Sequence, residues 1–564
     1  MCGIAGIISE KAGLENNLRG MLDAQHHRGP DYTGIYKGKG VYLGHNRLSI
    51  IDLSNEANQP FISNDNRFLI VFNGEIYNYL ELREELSSFY KFKTKCDTEV
   101  LLAAFIKWGS GCLNRLVGMF SFAIWDSQTK SLFAARDRYG VKPFHYSISE
   151  DKFIFSSEIK AVWSSGLVSK QMEDSVWASY LAYGIYADVN NTFWKNIFQL
   201  PAGHFLTYQK QDLQIKKWYH FIDNVNGINV PEEQSHISEM LEEKLLKSIK
   251  YRLHADVNVG FNLSGGIDST LLFLLIQKQL DFDYTTAFTF YSNDKRYDEL
   301  DWVNQIIGDT QLNWEKVLVS STEIPALAKF MQDKQDEPYS GIASLAYSKV
   351  FEAARNKNFI VLLDGGGMDE QIAGYDYYTN NSGSFVQGTN TSPVRISCIE
   401  SEFLSLSHKP VFPKPFSDEI KNLQFRDIFY TKLPRDLRFN DRMSMAYSTE
   451  LREPFLDHQL VELSFALPLK FKIKGDQKKW ILREIIRKYK NVPIVEAPKR
   501  PIQTPQREWL QNELKDWVID TIQSGFAKYS FLNKQKTQVE LDKYFKGEIE
   551  NSFFIWQWIT LGMI

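Results

Sequence analysis

Short runs rich in apolar residues near the middle of the chain predict buried strands and the helices between them. Val257–Leu263, Thr285–Tyr291 and Phe359–Leu363 have the length and composition of strands in a sheet core. Leu271–Ile276 is the apolar opening of a helix. Strands separated by helical stretches predict a parallel, doubly wound sheet, which binds its ligands at the carboxyl ends of the strands.

The chain before residue 223 has a different pattern of shorter strands. Phe68–Phe72, Ser131–Arg136, Pro143–Ile148 and Lys152–Ser156 are strand-like runs. Residues 223–231 are polar, with Gly and Pro, which is typical of a linker. A helix is predicted next, because apolar residues recur every four positions: Ile237, Leu241, Leu245, Ile249 and Leu253.

Length and charge limit the class of protein. At 564 residues the chain is expected to hold two or three domains. A net charge of −4 predicts no general attraction to nucleic acid or to anionic membranes. The C-terminal 552–564 segment is apolar but shorter than the roughly 20 residues that span a bilayer, so it is predicted to dock on the protein. We therefore expect a soluble protein with neither nucleic acid nor membrane as partner.

Four cysteines occur, and they show no C-x-x-C motif and no pairing pattern: Cys2, Cys96, Cys112 and Cys398. This usage favours a reducing, cytoplasmic compartment. The N-terminus has no signal-peptide pattern. The oligomeric state stays open, with a homodimer as one alternative.

The stretch Ser264–Thr270 carries the strongest chemical signal. It reads S-G-G-I-D-S-T and lies between a predicted strand and a predicted helix. Backbone N–H groups and the helix dipole make such a turn an anion site, and two glycines allow a phosphate to approach closely. A carboxylate at Asp268 suits a Mg²⁺ ion that bridges phosphate oxygens. The alternative is an ordinary turn with capping residues.

Cys2 is a candidate nucleophile because of its position. A cysteine in an apolar start is usually only a small buried side chain. Removal of Met1, however, leaves Cys2 with a free α-amine, whose pKa near 8 lets it act as general base for its own thiol. Such a nucleophile needs no histidine partner.

Three further stretches could complete a site around Cys2. Arg47–Asp52 alternates like a strand, and Arg47 offers a guanidinium fork for a carboxylate. Asn73-Gly74 suits an oxyanion hole, although Asn-Gly after a strand is equally typical of a tight turn. Asp97 and Thr98 precede an apolar helix, so either could be a plain N-cap, and Asp97 could instead bind a substrate ammonium group.

These motifs together resemble the class II, N-terminal-nucleophile glutamine amidotransferases. The match continues in order through His27–Asp31, Ala134–Pro143 and Ser157–Ala161. The resemblance implies a four-layer αββα sandwich of antiparallel sheets, in which Cys2 attacks the glutamine amide and Asn73 with Gly74 binds the oxyanion. It also implies a glutamine-binding set: Arg47, Leu48, Ser49, Ile50, Ile51, Asn73, Gly74, Glu75 and Asp97.

The rest of the chain resembles the synthetase domain of glutamine-hydrolysing asparagine synthetases. Asp364–Tyr375 follows a predicted strand, and its glycines lack G-x-G-x-x-G spacing. Asp369 there is the expected second Mg²⁺ ligand beside Asp268. Lys499 matches the family's pyrophosphate-binding lysine, although Ala497, Pro501 and Ile502 depart from the family segment. The resemblance implies an ATP and pyrophosphate site: Asn262, Ser264, Gly265, Gly266, Asp268, Ser269, Phe290, Asp364, Gly365 and Lys499.

The resemblance as a whole implies a two-domain α/β protein. We expect a glutaminase domain at 2–210, a linker at 211–235 and an ATP-pyrophosphatase domain at 236–564. The implied activity is ATP- and Mg²⁺-dependent amidation of a carboxylate through an acyl-adenylate, with aspartate as the expected acceptor. The alternative acceptor is another carboxylate, such as a uronic acid of a nucleotide sugar. A tRNA-modifying enzyme or a non-catalytic relative is disfavoured by the acidic net charge and the intact motifs.

One departure from the family concerns position 366. Asparagine synthetases commonly carry S-G-E-G-x-D-E, and their glutamate is placed to take a proton as ammonia attacks the adenylate. Here Gly366 has no side chain. Either another group such as Glu337 or Glu370 substitutes, or the pocket is shaped for a bulkier carboxylate. Residues 379–393 form a candidate lid, 408–418 have no assignment, and the charged stretch 436–457 is either a solvated helix or part of the site.

Overall fold

A computed structural model describes residues 1–186, 190–279, 285–379, 393–497, 504–549 and 551–564. The N-terminal part contains two six-stranded sheets in which all the strand pairs are antiparallel. The strands are β1 (Gly3–Ile8), β2 (Tyr32–Gly38), β3 (Val41–Arg47), β4 (Phe61–Ile62), β5 (Phe68–Ile76), β6 (Gly118–Asp126), β7 (Ser131–Arg136), β8 (His145–Ser149), β9 (Lys152–Ser156), β10 (Phe198–Gln199), β11 (His204–Gln209) and β12 (Asp212–Lys217).

The two sheets have the orders β10-β8-β9-β1-β3-β2 and β12-β11-β7-β6-β5-β4. The helices of this part are α1 (Glu15–Ala24), α2 (Tyr79–Leu86), α3 (Asp97–Trp108), α4 (Ile159–Ser164), α5 (Asp174–Tyr183) and α6 (Phe221–Asn226). Helices α1 and α4 contact the first sheet, and α3 contacts the second.

Alternation of side chains along the strands explains the layers. In β5, Leu69 and Val71 join the core between the two sheets, whereas Ile70 and Phe72 join the core on the other face, together with Val100 of α3. Successive side chains of a strand point to opposite faces, so an all-apolar strand must be covered on both. The αββα sandwich is confirmed.

The C-terminal part is built on a five-stranded parallel sheet of order β15-β14-β13-β16-β17. Its strands, with a two-stranded antiparallel ribbon, are β13 (Val259–Asn262), β14 (Thr286–Tyr291), β15 (Asn313–Leu318), β16 (Val361–Leu363), β17 (Glu450–Arg452), β18 (Ile473–Lys474) and β19 (Gln477–Lys478). The expected doubly wound sheet is therefore confirmed, with strands shorter than the apolar runs that predicted them.

Helices connect and cover this sheet. They are α7 (Gln234–Leu253), α8 (Ile267–Gln277), α9 (Leu300–Ile307), α10 (Ile324–Gln335), α11 (Gly341–Asn356), α12 (Met368–Gln371), α13 (Ser401–Leu404), α14 (Glu419–Phe429), α15 (Lys432–Ala446), α16 (His458–Ala466), α17 (Leu469–Lys472), α18 (Trp480–Tyr489), α19 (Gln506–Gln511), α20 (Lys515–Lys528), α21 (Lys534–Phe545) and α22 (Phe553–Met563). Helix α22 packs on α20, so the C-terminal segment docks as expected. No helix in the described ranges is long and apolar enough to cross a membrane.

Four local expectations are corrected by the structure. The strand pattern at Arg47 ends there, and residues 48–52 form a loop. Asn73-Gly74 lies inside β5, paired to β6, so it is not a tight turn. The N-cap of α3 is Cys96, whose Sγ accepts from the N–H of Thr98, so neither Asp97 nor Thr98 caps it. The linker stretch contains α6, which docks through buried Phe221.

Helix α15 is also not the solvated helix that its charge suggested. Its Asp441 and Arg442 are buried where the two parts of the chain meet. Arg28 donates to Glu158 and to Asp441, at 2.9 Å in each case. The charged side chains at this junction form ion pairs with each other. Such pairing offsets the free-energy cost of removing a charge from water, so these side chains can be buried.

Candidate active site

A small cavity of about 30 Å³ surrounds Cys2 in the N-terminal sandwich. The end of β3, the middle of β5 and the first turn of α3 supply its walls. The lining brings together most of the predicted glutamine-binding residues: Cys2, Arg47, Leu48, Ile50, Ile51, Gly74, Glu75 and Asp97. Ser49 lies outside the lining, where its backbone N–H donates to Asp31 at 2.8 Å.

Cys2 is held at the base of this pocket. Its backbone N–H donates to Asn73 Oδ1 at 3.0 Å, and its Sγ lies 4.0 Å from the carbonyl oxygen of Leu48. Burial raises the pKa of the thiol. In the chain that retains Met1, the terminal ammonium pairs with buried Glu450 at 2.9 Å. Burial alone would raise the pKa of Glu450, but the Met1 ammonium and Arg452 hold it at about 2.

Asn73 and Gly74 present polar groups beside Cys2. The Nδ2 of Asn73 is buried and has no hydrogen-bond partner within the described ranges. A Cβ on Gly74 would lie 2.2 Å from the carbonyl oxygen of Met119 on β6, so only glycine fits the close strand pairing here. An amide donor left unsatisfied in a buried site suits an oxyanion that forms during reaction.

Arg47 and Asp97 provide opposite charges in the same pocket. Arg47 Nη1 donates to the Ser54 carbonyl at 2.7 Å and to Asn58 Oδ1 at 2.8 Å, which fixes the guanidinium. Asp97 Oδ2 accepts from the N–H of Ile76 at 2.9 Å. Burial raises the pKa of Asp97 to about 6. The pair matches the carboxylate and ammonium of an amino acid.

A second cavity, of about 400 Å³, opens at the carboxyl ends of β13, β14 and β16. Its lining brings together most of the predicted nucleotide and metal residues: Asn262, Ser264, Asp268, Ser269, Phe290, Asp364, Gly365 and Asp369. Gly265 and Gly266 lie outside this lining: Gly265 packs on Trp302, and Gly266 is the N-cap of α8. Lys499 lies outside the described residues.

The turn before α8 has the geometry of an anion site. The hydroxyl groups of Ser264 and Ser269 lie 2.9 Å apart, beside the N-terminus of the helix. The hydroxyl of Thr270 donates to the Gly266 carbonyl at 2.6 Å and so anchors the first turn. Helix N–H groups and hydroxyl donors are thus gathered at one edge of the cavity, where a phosphate can accept from them.

Lys479 is a residue beside the synthetase cavity that the sequence analysis did not predict. Its Nζ lies 2.5 Å from Asp268 Oδ2 and 2.7 Å from Asp369 Oδ1. Lys479 has a φ of 56° at the start of α18, in the left-handed region that non-glycine residues adopt infrequently. Gly374 permits the approach, because a Cβ there would lie 1.9 Å from Asp369 Oδ1. The adjacent lysines before α18 are the only sequence signal for it.

The two carboxylates fit the expected Mg²⁺ ligands. Asp268 and Asp369 come from separate segments and converge on one cationic group. Mg²⁺ is usually held by one or two carboxylates together with substrate phosphates, and this donor set is of that kind. Within the described ranges, no group of three or more His, Cys, Asp or Glu could hold a metal through protein ligands alone.

Family models assign both parts of the chain. Residues 1–219 match the glutamine amidotransferase domain, and residues 240–563 match the asparagine synthase model. The chain belongs to the asparagine synthase family. As a member with a glutamine amidotransferase domain, it is a carbon–nitrogen ligase that uses glutamine as nitrogen donor.

Relatives of this asparagine synthase family member include two that cover nearly its full length. A Bacillus subtilis protein named asparagine synthetase [glutamine-hydrolyzing] 1 is 27% identical, with 99% of this chain and 95% of the relative covered. A putative Methanocaldococcus jannaschii asparagine synthetase is 32% identical over 67% of this chain and 76% of its own. A Penicillium rubens protein named amidase chyE is 26% identical, over 100% of this chain and 98% of its own.

The two glutamates expected to replace the family glutamate at position 366 lie in different places. Glu337 is held by Arg438 at 2.7 Å and by the N–H of Phe193 at 2.9 Å, away from the cavity lining. Glu370 does line the cavity, and its Oε1 accepts from the hydroxyl of Tyr375 at 2.5 Å. The structure thus separates Glu337 from the site and keeps Glu370 in it.

Proposed function

We propose that this protein amidates the side-chain carboxylate of aspartate to give asparagine. Glutamine supplies ammonia, and ATP activates the carboxylate as an acyl-adenylate with release of pyrophosphate. The observation that supports this most is the pairing of a thiol pocket with a phosphate-binding cavity in one chain. The division into 2–210, 211–235 and 236–564 assigns one half-reaction to each domain.

In the glutaminase step, removal of Met1 frees the α-amine of Cys2 as general base. The thiolate then attacks the side-chain amide of glutamine, the C–N bond breaks with release of ammonia, and water hydrolyses the resulting thioester to give glutamate. The Asn73 amide and the Gly74 N–H bind the oxyanion, while Arg47 and Asp97 hold the α-carboxylate and α-amine. The short contacts that already fix Arg47 and Asp97 favour this orientation, because a preorganised site loses little entropy on binding.

In the activation step, the turn 264–270 binds the phosphates through its N–H groups and hydroxyls. Asp268 and Asp369 would hold Mg²⁺, which neutralises phosphate charge when bound. Lys479, now between these two carboxylates, donates to the pyrophosphate as it leaves, and Lys499 adds a second positive charge. Negative charge builds up on the pyrophosphate in the transition state. Hydrogen bonds and ion pairs to it become stronger at that point, and this lowers the activation barrier for adenylation.

The location proposed is the cytoplasm. The four cysteines are unpaired and buried in the structure, which suits a compartment that keeps thiols reduced.

The identity of the acceptor carboxylate is the most specific element of the proposal, and it can be tested directly. The protein is incubated with glutamine, Mg-ATP and aspartate, and asparagine, AMP and pyrophosphate are measured. Asparagine with AMP supports the proposal, whereas ADP and phosphate would exclude an adenylate. AMP released only with a nucleotide-linked uronic acid would assign the second candidate acceptor instead.

A further inference from the structure

The space beside Gly366 is bordered by another glutamate. A Cβ built on Gly366 would lie 3.4 Å from Asp364 Oδ1, 3.8 Å from Glu453 Cγ and 3.9 Å from Glu453 Oε1. These are ordinary contact distances, so a side chain at 366 would project into the volume that Glu453 already reaches. The carboxyl group of Glu453 therefore stands close to where a glutamate on position 366 would place its own.

Glu453 enters this space from a remote part of the sequence. It follows β17, at the carboxyl end of the parallel sheet, and it precedes Pro454. Only 5% of the residue is exposed, and it lines the same cavity as Asp268 and Gly365. Its Oε2 has no hydrogen-bond partner in the part of the chain that the structure describes. Because buried polar atoms normally have a hydrogen-bond partner, this oxygen is suited to bind a ligand or to carry a proton.

Glu453 also borders the junction between the two domains. A third cavity, of about 20 Å³, lies between the two domains, and Glu453 belongs to its lining as well as to that of the 400 Å³ cavity. Tyr77, Met119 and Asp137 of the amidotransferase domain form the facing wall. Glu453 therefore lines both the synthetase cavity and the small cavity at the domain junction.

The electrostatic setting suits proton transfer. Burial raises the pKa of Glu453 to about 8, against the attraction of Lys142 and with the repulsion of Asp364 and Asp137. A carboxylate that titrates near working pH both accepts a proton and releases it. Glu370 is less well placed, because the atoms nearest a Cβ at position 366 belong to Asp364 and Glu453 and not to Glu370.

We propose that Glu453 is the general base for attack of ammonia on the acyl-adenylate, in place of the glutamate that position 366 lacks. This role rests on the proposed function. The nitrogen lone pair forms a C–N bond to the acyl carbon, and one proton of the resulting ammonium passes to the Glu453 carboxylate. The C–O bond to the phosphate then breaks with its electron pair, and AMP leaves. The proton on Glu453 is released to solvent before the next turnover.

The first test separates activation from ammonia attack in Glu453→Gln. Amide formation is measured with ammonium chloride as nitrogen source, using aspartate and UDP-glucuronic acid as acceptors. We expect it to fall by about 10²–10⁴-fold, the usual contribution of a general base. Acceptor-dependent exchange of pyrophosphate into ATP should stay at the parental rate, because adenylation precedes the proton transfer. Glutamine hydrolysis should also be unchanged.

The second test moves the carboxylate back to position 366. We expect the double variant Gly366→Glu with Glu453→Ala to recover amide formation relative to Glu453→Ala alone, since a Cβ fits at Gly366 and the truncation at 453 frees the volume that the new side chain enters. The matched control is Gly366→Gln with Glu453→Ala, which has the same size but no base and should not recover. With the ammonium chloride concentration adjusted at each pH to hold free ammonia constant, amide formation by the parent should rise with pH through about 8, and in Glu453→Gln this rise should be lost.

Three results would overturn the inference. Glu453→Gln could form amide at the parental rate. It could lose pyrophosphate exchange and amide formation to the same extent, which would mark a structural role. The glutamine control could recover as well as the glutamate variant. A parent that releases no AMP with either acceptor would refute the proposed reaction itself, and the role of Glu453 with it.

Discussion

The glutamine pocket and the synthetase cavity hold their charged groups in different ways. In the pocket, Arg47 and Asp97 are fixed by backbone carbonyl and N–H groups, and the enclosed volume is about 30 Å³. In the cavity of about 400 Å³, Lys479 is fixed by two acidic side chains, Asp268 and Asp369. The pocket is preorganised for one small amino acid, whereas the cavity has to exchange protein partners for substrate.

This difference has an energetic consequence. A side chain held by the backbone keeps its position when substrate enters, so binding costs little reorganisation. In the proposed mechanism, a lysine held by carboxylates would give up those contacts when its partners bind a metal ion, and phosphate oxygens would replace them. Substitutions in the glutamine pocket should therefore change mainly the affinity for glutamine. Substitutions in the synthetase cavity should change several steps of the reaction at once.

Cys2→Ala is expected to separate the activities of the two regions most strongly. Loss of the nucleophile should lower glutamine-dependent synthesis by about 10⁴-fold or more, as in other enzymes with covalent intermediates. Ammonia-dependent synthesis should remain, because the cavity is untouched. Glutaminase and ammonia-driven assays on the same preparation check this. Glutamine hydrolysis at the parental rate would remove Cys2 from the mechanism.

The opposite separation is expected from Asp268→Asn. Loss of this carboxylate should lower synthesis from either nitrogen source by about 10²–10³-fold, the effect of removing a group that stabilises transition-state charge. Chelation of Mg²⁺ in the parent should have the same result. Glutamine hydrolysis serves as the internal control. If it falls in parallel with synthesis, the two regions are not independent.

A smaller effect is expected from Lys479→Ala, about 10²-fold in pyrophosphate exchange, because a cation near the leaving group is lost. Lys478→Ala is the matched control: this neighbour pairs with Asp376, which is exposed, and should leave exchange unchanged. Exchange rates and the KM for ATP are measured for both. Equal losses in the two variants would mean that only the fold of the segment was disturbed.

The smallest effect concerns Asp97. Asp97→Asn should raise the KM for glutamine by roughly 30-fold, since a buried charge contact with an ammonium group is typically worth about 2 kcal/mol or more. In the parent, kcat/KM for glutamine should fall as pH drops through about 6, because the Asp97 carboxylate becomes neutral there. A pH profile of Asp97→Asn without that fall, beside a parent that shows it, checks the assignment. An unchanged KM would contradict it.

Much of the fold was predictable because the signals are local. The strands at Ser131–Arg136 and Lys152–Ser156 and the strand–turn–helix at 264–270 depend on periodicity and on glycine, which neighbouring residues determine. The start of β5 was predicted correctly, but its extension through Asn73-Gly74 was not, because pairing with the distant β6 outweighs the turn preference of Asn-Gly.

The sequence alone predicted the chemistry proposed for each site, since the motifs around Cys2, Asn73, Asp97 and Asp268 carry the groups proposed to act. Only the tertiary structure placed Lys479 between two aspartates and Glu453 beside Gly366. It also turned the charged helix α15 inward, where Arg28 pairs with Asp441. These residues are far apart along the chain, and side-chain contact across such separations depends on how the sheets and helices pack, which no local pattern encodes.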